Sequence, residues 1–114
     1  MRVEKPWGYY ECLDDHGSFV VKTLWVNPKQ RLSLQSHSNR SEQWICVSGC
    51  GLATVGFSTR VPLECGTILC IKPEEVHRLA NTDNFRMLVI VEIQTGSCYE
   101  DDIIRYSDDY GRAD

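Results

Sequence analysis

Apolar residues along this chain alternate with polar ones in short runs cut by turn residues, and the 3.6-residue period of a helix is almost absent. The alternation predicts strands near Trp7–Leu13, Ser18–Val26, Arg31–His37, Glu42–Ser48 and Leu52–Phe57. Further strands are predicted near Arg60–Leu63, Thr67–Ile71, His77–Asn81 and Phe85–Thr95. The clearest turns are Asp14-Asp15-His16-Gly17, Asn27-Pro28-Lys29 and Ser48-Gly49-Cys50-Gly51. Only Asp101–Tyr106 has a pattern suited to a short helical turn. Many short strands with regular turns predict an all-β sandwich or barrel, and no linker or repeat divides residues 1–114, so one domain is expected.

Strand parity then sorts side chains by face. Arg31, Ser33, Gln35 and His37 fall on one face of their run, with Leu32 and Leu34 on the other. A face of Arg, Ser, Gln and His suits the wall of a polar cavity more than a hydrophobic core. In the last long strand Leu88, Ile90, Glu92 and Gln94 share a face, so Glu92 interrupts an apolar row at a rim or inside the cavity. Gln35 and His37, Glu42 at the head of the next run, and His77 after a Pro-containing turn offer four nitrogen and oxygen donors at strand ends. Their convergence on one divalent metal is the first functional expectation.

Composition narrows the setting. Hydrophobic residues make up 42% and charged residues 25% of 114, ordinary for a globular protein, and no apolar run approaches a membrane span. The formal net charge of −4 argues against nucleic acid as a partner. Much of the acid gathers in Glu100, Asp101, Asp102, Asp108, Asp109 and Asp114, which reads as a solvated surface or tail. The first residues lack the apolar core of an export signal, so a cytoplasmic location is expected, with no membrane partner. Cys12, Cys46, Cys50, Cys65, Cys70 and Cys98 form no CxxC pair and read as reduced thiols. Trp7, Trp25 and Trp44 read as packing or dimer-contact residues, and His16 as an inert turn residue.

Gln35-x-His37, four residues, Glu42, then six residues and Gly49 resembles the first cupin motif with Gln in place of its first His. The stretch from Gly66 to Asn81 resembles the second, with His77 as ligand and three residues between it and Asn81. The resemblance narrows at Lys5-Pro6-Trp7-Gly8, Arg31-Leu32-Ser33-Leu34-Gln35, Val76-His77-Arg78-Leu79-Ala80-Asn81, Glu100-Asp101-Asp102-Ile103 and Tyr110-Gly111-Arg112. In that order they resemble the cupin domain of type II mannose-6-phosphate isomerases, over nearly the full length. In many members a mannose-1-phosphate guanylyltransferase domain precedes it; no such portion is present here, so nucleotidyl transfer is not implied. The family's histidine-rich run reads His37-Ser38-Asn39-Arg40-Ser41-Glu42-Gln43-Trp44, with Asn39 and Gln43 replacing histidines. Lys72-Pro73-Glu74-Glu75 stands where the second motif prefers a Pro and a Gly.

The resemblance implies a double-stranded β-helix, or jelly-roll barrel, holding one divalent metal on Gln35, His37, Glu42 and His77. A mixed N/O donor set with one anion suits Zn²⁺, Mn²⁺, Fe²⁺, Co²⁺ or Ni²⁺. The implied reaction interconverts mannose 6-phosphate and fructose 6-phosphate. Arg40 occupies a family position associated with isomerase activity, and Glu92 is the candidate base. Lys22, Arg78 and Arg105 are the further cations for a sugar phosphate. A homodimer is expected, since cupins commonly pack sheet to sheet. The alternatives are a metal-binding cupin acting on another sugar or small acid, and a non-catalytic module binding a sugar phosphate or partner protein.

Overall fold

The computed structural model describes residues 1–112, and Asp114 of the acidic set lies outside them. Eleven strands form: β1 (Arg2–Lys5), β2 (Gly8–Asp15), β3 (Phe19–Val26), β4 (Leu34–Ser36), β5 (Arg40–Ser48) and β6 (Gly51–Val55). After them come β7 (Thr59–Leu63), β8 (Ile68–Ile71), β9 (His77–Asn81), β10 (Leu88–Gly96) and β11 (Ile104–Ser107). No helix forms among the described residues, and so none long and apolar enough to cross a membrane. The strands make two antiparallel sheets, one ordered β1-β2-β3-β10-β5-β8 and the other β11-β4-β9-β6-β7. The all-β jelly-roll expectation therefore holds.

Period-two burial explains why these sequences become these strands. In β3 the side chains of Val20, Lys22, Leu24 and Val26 are buried and their neighbours are not. The inward row of β5 is Arg40, Glu42, Trp44 and Cys46; that of β10 is Leu88, Ile90, Glu92 and Gln94. Antiparallel register aligns the rows: Leu88 faces Val26, Ile90 faces Leu24 and Cys46, Glu92 faces Lys22 and Trp44, and Gln94 faces Glu42. The barrel interior thus has two ends. Leu24, Val26, Leu79, Leu88 and Ile90 fill a dry one, and Lys22, Arg40, Glu42, Glu92 and Gln94 line a polar one.

Four expectations change. Hairpin strand β1 is not visible in the pattern, because its alternating charges mark an exposed edge. The Arg31–His37 strand shrinks to β4, and Arg31 makes only an isolated bridge to Ala80. Leu32 joins the core and lines the cavity beside Ser33 instead of facing away from it, while Arg31 turns outward to Asp109 at 2.7 Å, so the expected parity holds only from Ser33 to His37. Asp101–Tyr106 is no helical turn: residues 104–107 pair with β4 as edge strand β11. Nor is the acidic cluster a bare surface. Glu100 pairs with Lys22, Asp108 with Arg112 and Asp109 with Arg31, while Asp102 accepts the Ser38 and Asn39 amides.

Gly96 ends β10 at φ +110°, where an added Cβ would stand 2.5 Å from the Asn39 carbonyl oxygen. Its missing side chain lets β10 close onto the β4–β5 turn that carries the site.

Candidate metal centre and substrate cavity

Strand ends converge at the polar end of the barrel. His37 follows β4, Glu42 sits early in β5, and His77 opens β9, directly across the ladder from Gln35. Ligand atoms of His37, Glu42 and His77 all lie within 4.8 Å of one another, and all three residues are buried. Nε2 of His37 is 3.3 Å from one Glu42 oxygen, and Nε2 of His77 is 3.5 Å from the other. Gln35 is buried and lines the same cavity.

The two imidazoles are oriented alike. His37 Nδ1 donates to the Asp102 carbonyl at 2.7 Å, and His77 Nδ1 donates to the Glu75 carbonyl at 2.9 Å. With Nδ1 as the N–H, each Nε2 presents a lone pair toward Glu42. Main-chain carbonyls behind histidines are the usual means of fixing a metal ligand's tautomer. Nε2 of His77 is buried with no hydrogen-bond partner. At 3.5 Å Glu42 is too far for a bond of ordinary geometry, and an orphaned buried acceptor beside a carboxylate is what a cation would satisfy. A divalent metal fits this donor set.

Arg40 currently supplies positive charge there. Its Nε donates to Glu42 Oε2 at 3.0 Å, Nη2 donates to His37 Nε2 at 3.1 Å, and Nη1 reaches the Tyr99 carbonyl at 3.3 Å. Burial alone would raise the Glu42 carboxyl, but His77, His37 and Arg40 hold it far below the usual carboxylate range. For His37, burial dominates and lowers its imidazole. For His77, burial also pushes down, but the Glu42 carboxylate outweighs it and the net direction is up.

Glu92 lies inside the cavity at the polar end. Its oxygens accept from Trp44 Nε1 at 3.0 Å and from Gln94 Nε2 at 2.7 Å. Burial first, and repulsion from Glu42 second, push its carboxyl up to about 8. Two buried carboxyls on neighbouring strands are therefore pushed in opposite directions, Glu42 toward the ionised form and Glu92 toward the protonated one. Trp44, expected to be plain packing, bridges them by also donating to Glu42 at 3.2 Å.

The cavity has a volume of about 150 Å³. Five cations line it, Lys5, Lys22, Arg40, Arg105 and Arg112, against the carboxylates Glu42, Glu92 and Glu100. Cations outnumber carboxylates there even with all three ionised, which favours an anionic ligand. Lys22 is buried beneath Tyr10, 4.5 Å from its ring centre, and pairs with Glu100. Burial lowers the Lys22 ammonium, and Glu100 more than restores it. Arg105 has a buried Nε without a partner. Arg78 is a correction: it follows inward His77, so it faces out of the cavity and donates to the Leu32 and Ser107 carbonyls at 3.0 and 3.1 Å. Lys5 and Arg112 were not foreseen, since loop and edge positions carry no parity signal.

The family model described as "Mannose-6-phosphate isomerase C-terminal" matches residues 1–108. This chain belongs to that family. Relatives include the alginate biosynthesis protein AlgA of Pseudomonas aeruginosa, 45% identical over 96% of this chain and 23% of AlgA. A mannose-1-phosphate guanylyltransferase of Sinorhizobium fredii is 42% identical over 92% of this chain and 20% of its own length. The chain thus spans about a quarter or less of the curated relatives it matches. Among solved structures, a protein with a double-stranded β-helix domain from Klebsiella pneumoniae superposes with a TM-score of 0.70 at 21% identity, covering 75% of this chain and 74% of that one. That likeness supports the cupin barrel, whose polar end carries the His37, Glu42 and His77 cluster. All six cysteines are free thiols.

Proposed function

We propose that this cupin is a metal-dependent sugar-phosphate isomerase interconverting mannose 6-phosphate and fructose 6-phosphate. One observation carries the reading: a buried His37–Glu42–His77 cluster with an orphaned His77 Nε2 stands beside a second buried carboxyl, Glu92, joined to Glu42 through Trp44 Nε1. The relation to a guanylyltransferase of mannose 1-phosphate supports a mannose phosphate as the substrate class.

In this reading His37, Glu42, His77 and Gln35 hold one divalent ion, of which Zn²⁺, Mn²⁺, Fe²⁺, Co²⁺ and Ni²⁺ suit the N/O donors. Bound there, the metal supplies Lewis acidity to the sugar carbonyl and its developing oxyanion. Aldose–ketose exchange moves one proton between C2 and C1 and a second between O2 and O1, through an enediol. Glu92 is the group that takes and returns the carbon-bound proton: burial raises its carboxyl toward neutral pH, where a general base is worth roughly 10²–10⁴ in rate. Trp44 and Gln94 fix the direction of its two oxygens. Arg40, beside the ligand pair, steadies negative charge on the reacting oxygens. Lys22 and Arg105 take the phosphate, and Arg78 has no part. The enzyme works as a homodimer in the cytoplasm, a setting consistent with six free thiols.

The test is metal content by mass spectrometry of the wild type and His77→Ala, followed by an isomerase assay on mannose 6-phosphate. About one metal per chain, lost in the variant, with activity in the wild type, is the expected result. Metal without activity on this sugar leaves a cupin with another substrate. No metal after reconstitution with Zn²⁺, Mn²⁺ or Co²⁺ leaves a binding module.

A further inference from the structure

Residues 97–107 run across the polar end of the barrel and bury little apolar surface: Tyr99, Ile104 and Tyr106 are exposed. What holds the segment is polar: an edge-strand ladder of residues 104–107 with β4, and bonds to the site itself. The Tyr99 carbonyl accepts from Arg40, Glu100 pairs with Lys22, and Arg105 lies across the ladder from Gln35. Asp102 makes three contacts at once. Its carbonyl accepts His37 Nδ1, and its carboxylate oxygens accept the Ser38 and Asn39 amides at 2.9 Å each. The segment also supplies Glu100, Ile103 and Arg105 to the cavity wall.

We propose that this segment is a strap whose docking is thermodynamically linked to metal binding, with Asp102 as the positioning residue that aims His37 Nε2 into the site. The inference rests on the metal-site reading above. With the strap docked, His37 is held in the tautomer and orientation that bind a cation. With it released, His37 loses the acceptor behind it, and the cavity loses one wall. Linkage requires reciprocity: whatever factor docking adds to metal affinity, metal adds to docking. Few buried apolar contacts, and a short edge strand, make such a segment cheaper to open than the strands that fill the core.

Hydrogen exchange on the full chain, with and without saturating Zn²⁺, reads strap docking directly, and chelator competition reads Zn²⁺ affinity. In the wild type, Zn²⁺ slows exchange across residues 97–107 and at the Ser38 and Asn39 amides by about tenfold or more. Asp102→Ala binds Zn²⁺ roughly 10–100-fold more weakly and loses that protection. Both variants keep the main-chain carbonyl that accepts His37 Nδ1, and what alanine loses is the pair of carboxylate bonds to the Ser38 and Asn39 amides that hold that carbonyl in place. Asp102→Asn keeps one side-chain acceptor, so it falls between, and it carries the test if the alanine variant does not fold. Zinc binding to the wild type with no change in strap exchange overturns the proposal, as does wild-type Zn²⁺ affinity in both variants. A wild type that takes no metal defeats the metal-site reading instead, a different outcome.

Discussion

Glu92→Gln removes one ionisable proton from the cavity while keeping its shape, and its effect on stability follows from the geometry. Native Glu92 holds its proton up to about pH 8, whereas in the unfolded chain the same carboxyl loses it near 4.5. Between those values the native state binds the extra proton, so stability falls as pH rises, by up to about 1.4 kcal/mol per pH unit. Across the window the loss is on the order of 4 kcal/mol, most of it present by pH 8. The amide cannot ionise, so the variant lacks this slope. It also has partners ready. Gln94 Oε1 is buried and unpartnered, and a flip of the Gln94 amide turns that oxygen toward the new NH₂ while Trp44 Nε1 keeps its acceptor.

Urea unfolding of the metal-free protein, with chelator present, at intervals from about pH 5 to pH 8 checks this. Wild type and variant match within about 1 kcal/mol near pH 5 and diverge steadily above it, the variant being the more stable at pH 8. His77, whose folded value is raised, also loses stabilisation as pH climbs, but it does so in both proteins and cancels in the difference. Parallel stability curves would refute the claim that Glu92 is folded as a neutral acid. If the reaction reading is also right, the same substitution abolishes isomerase turnover while metal content stays at the wild-type level.

Trp44→Phe keeps an aromatic ring of smaller size but leaves Glu42 and Glu92 each short of a donor, and equilibrium unfolding should show a loss of at least about 2 kcal/mol. A near-neutral change would mean those bonds hold little of the polar end together. Gly96→Ala drives a methyl into the Asn39 carbonyl at an unfavourable φ, so thermal unfolding should register at least about 2 kcal/mol of destabilisation together with weaker metal binding. Glu74 adopts φ +67° in the turn before His77, with its amide bonded to the His37 carbonyl at 2.7 Å. Glu74→Gly relieves that conformation and should raise stability by up to about 1 kcal/mol; a loss of that size would show that the glutamate side chain has a role of its own.

How much of this was legible in the sequence depended on whether the information lay along one strand or between strands. Period two alone put Gln35 with His37, and Glu92 with Leu88 and Ile90, on single faces, and the barrel keeps both groupings. The same rule argues against Arg78 in the cavity, because inward His77 sends its neighbour outward; charge had outweighed parity there. What no single strand carried was the pairing of distant segments. Lys22 with Glu100, Arg31 with Asp109 and His37 with Asp102 are separated by 65 to 78 residues, so the acidic end looked solvated until its partners were seen. The polar end arises in the same way. Reading β3 backwards from Val26 and Leu24 one meets Lys22, and reading β10 forwards from Leu88 and Ile90 one meets Glu92 and Gln94. Going backwards through β5 from Cys46 and Trp44 leads to Glu42 and Arg40. Each switch looks like a local irregularity in an apolar row. Antiparallel pairing of β10 with both neighbours brings the three switches to one level of the barrel, and that alignment turns scattered polar residues into a single buried polar end with two carboxyls pushed in opposite directions and two inward imidazoles beside them.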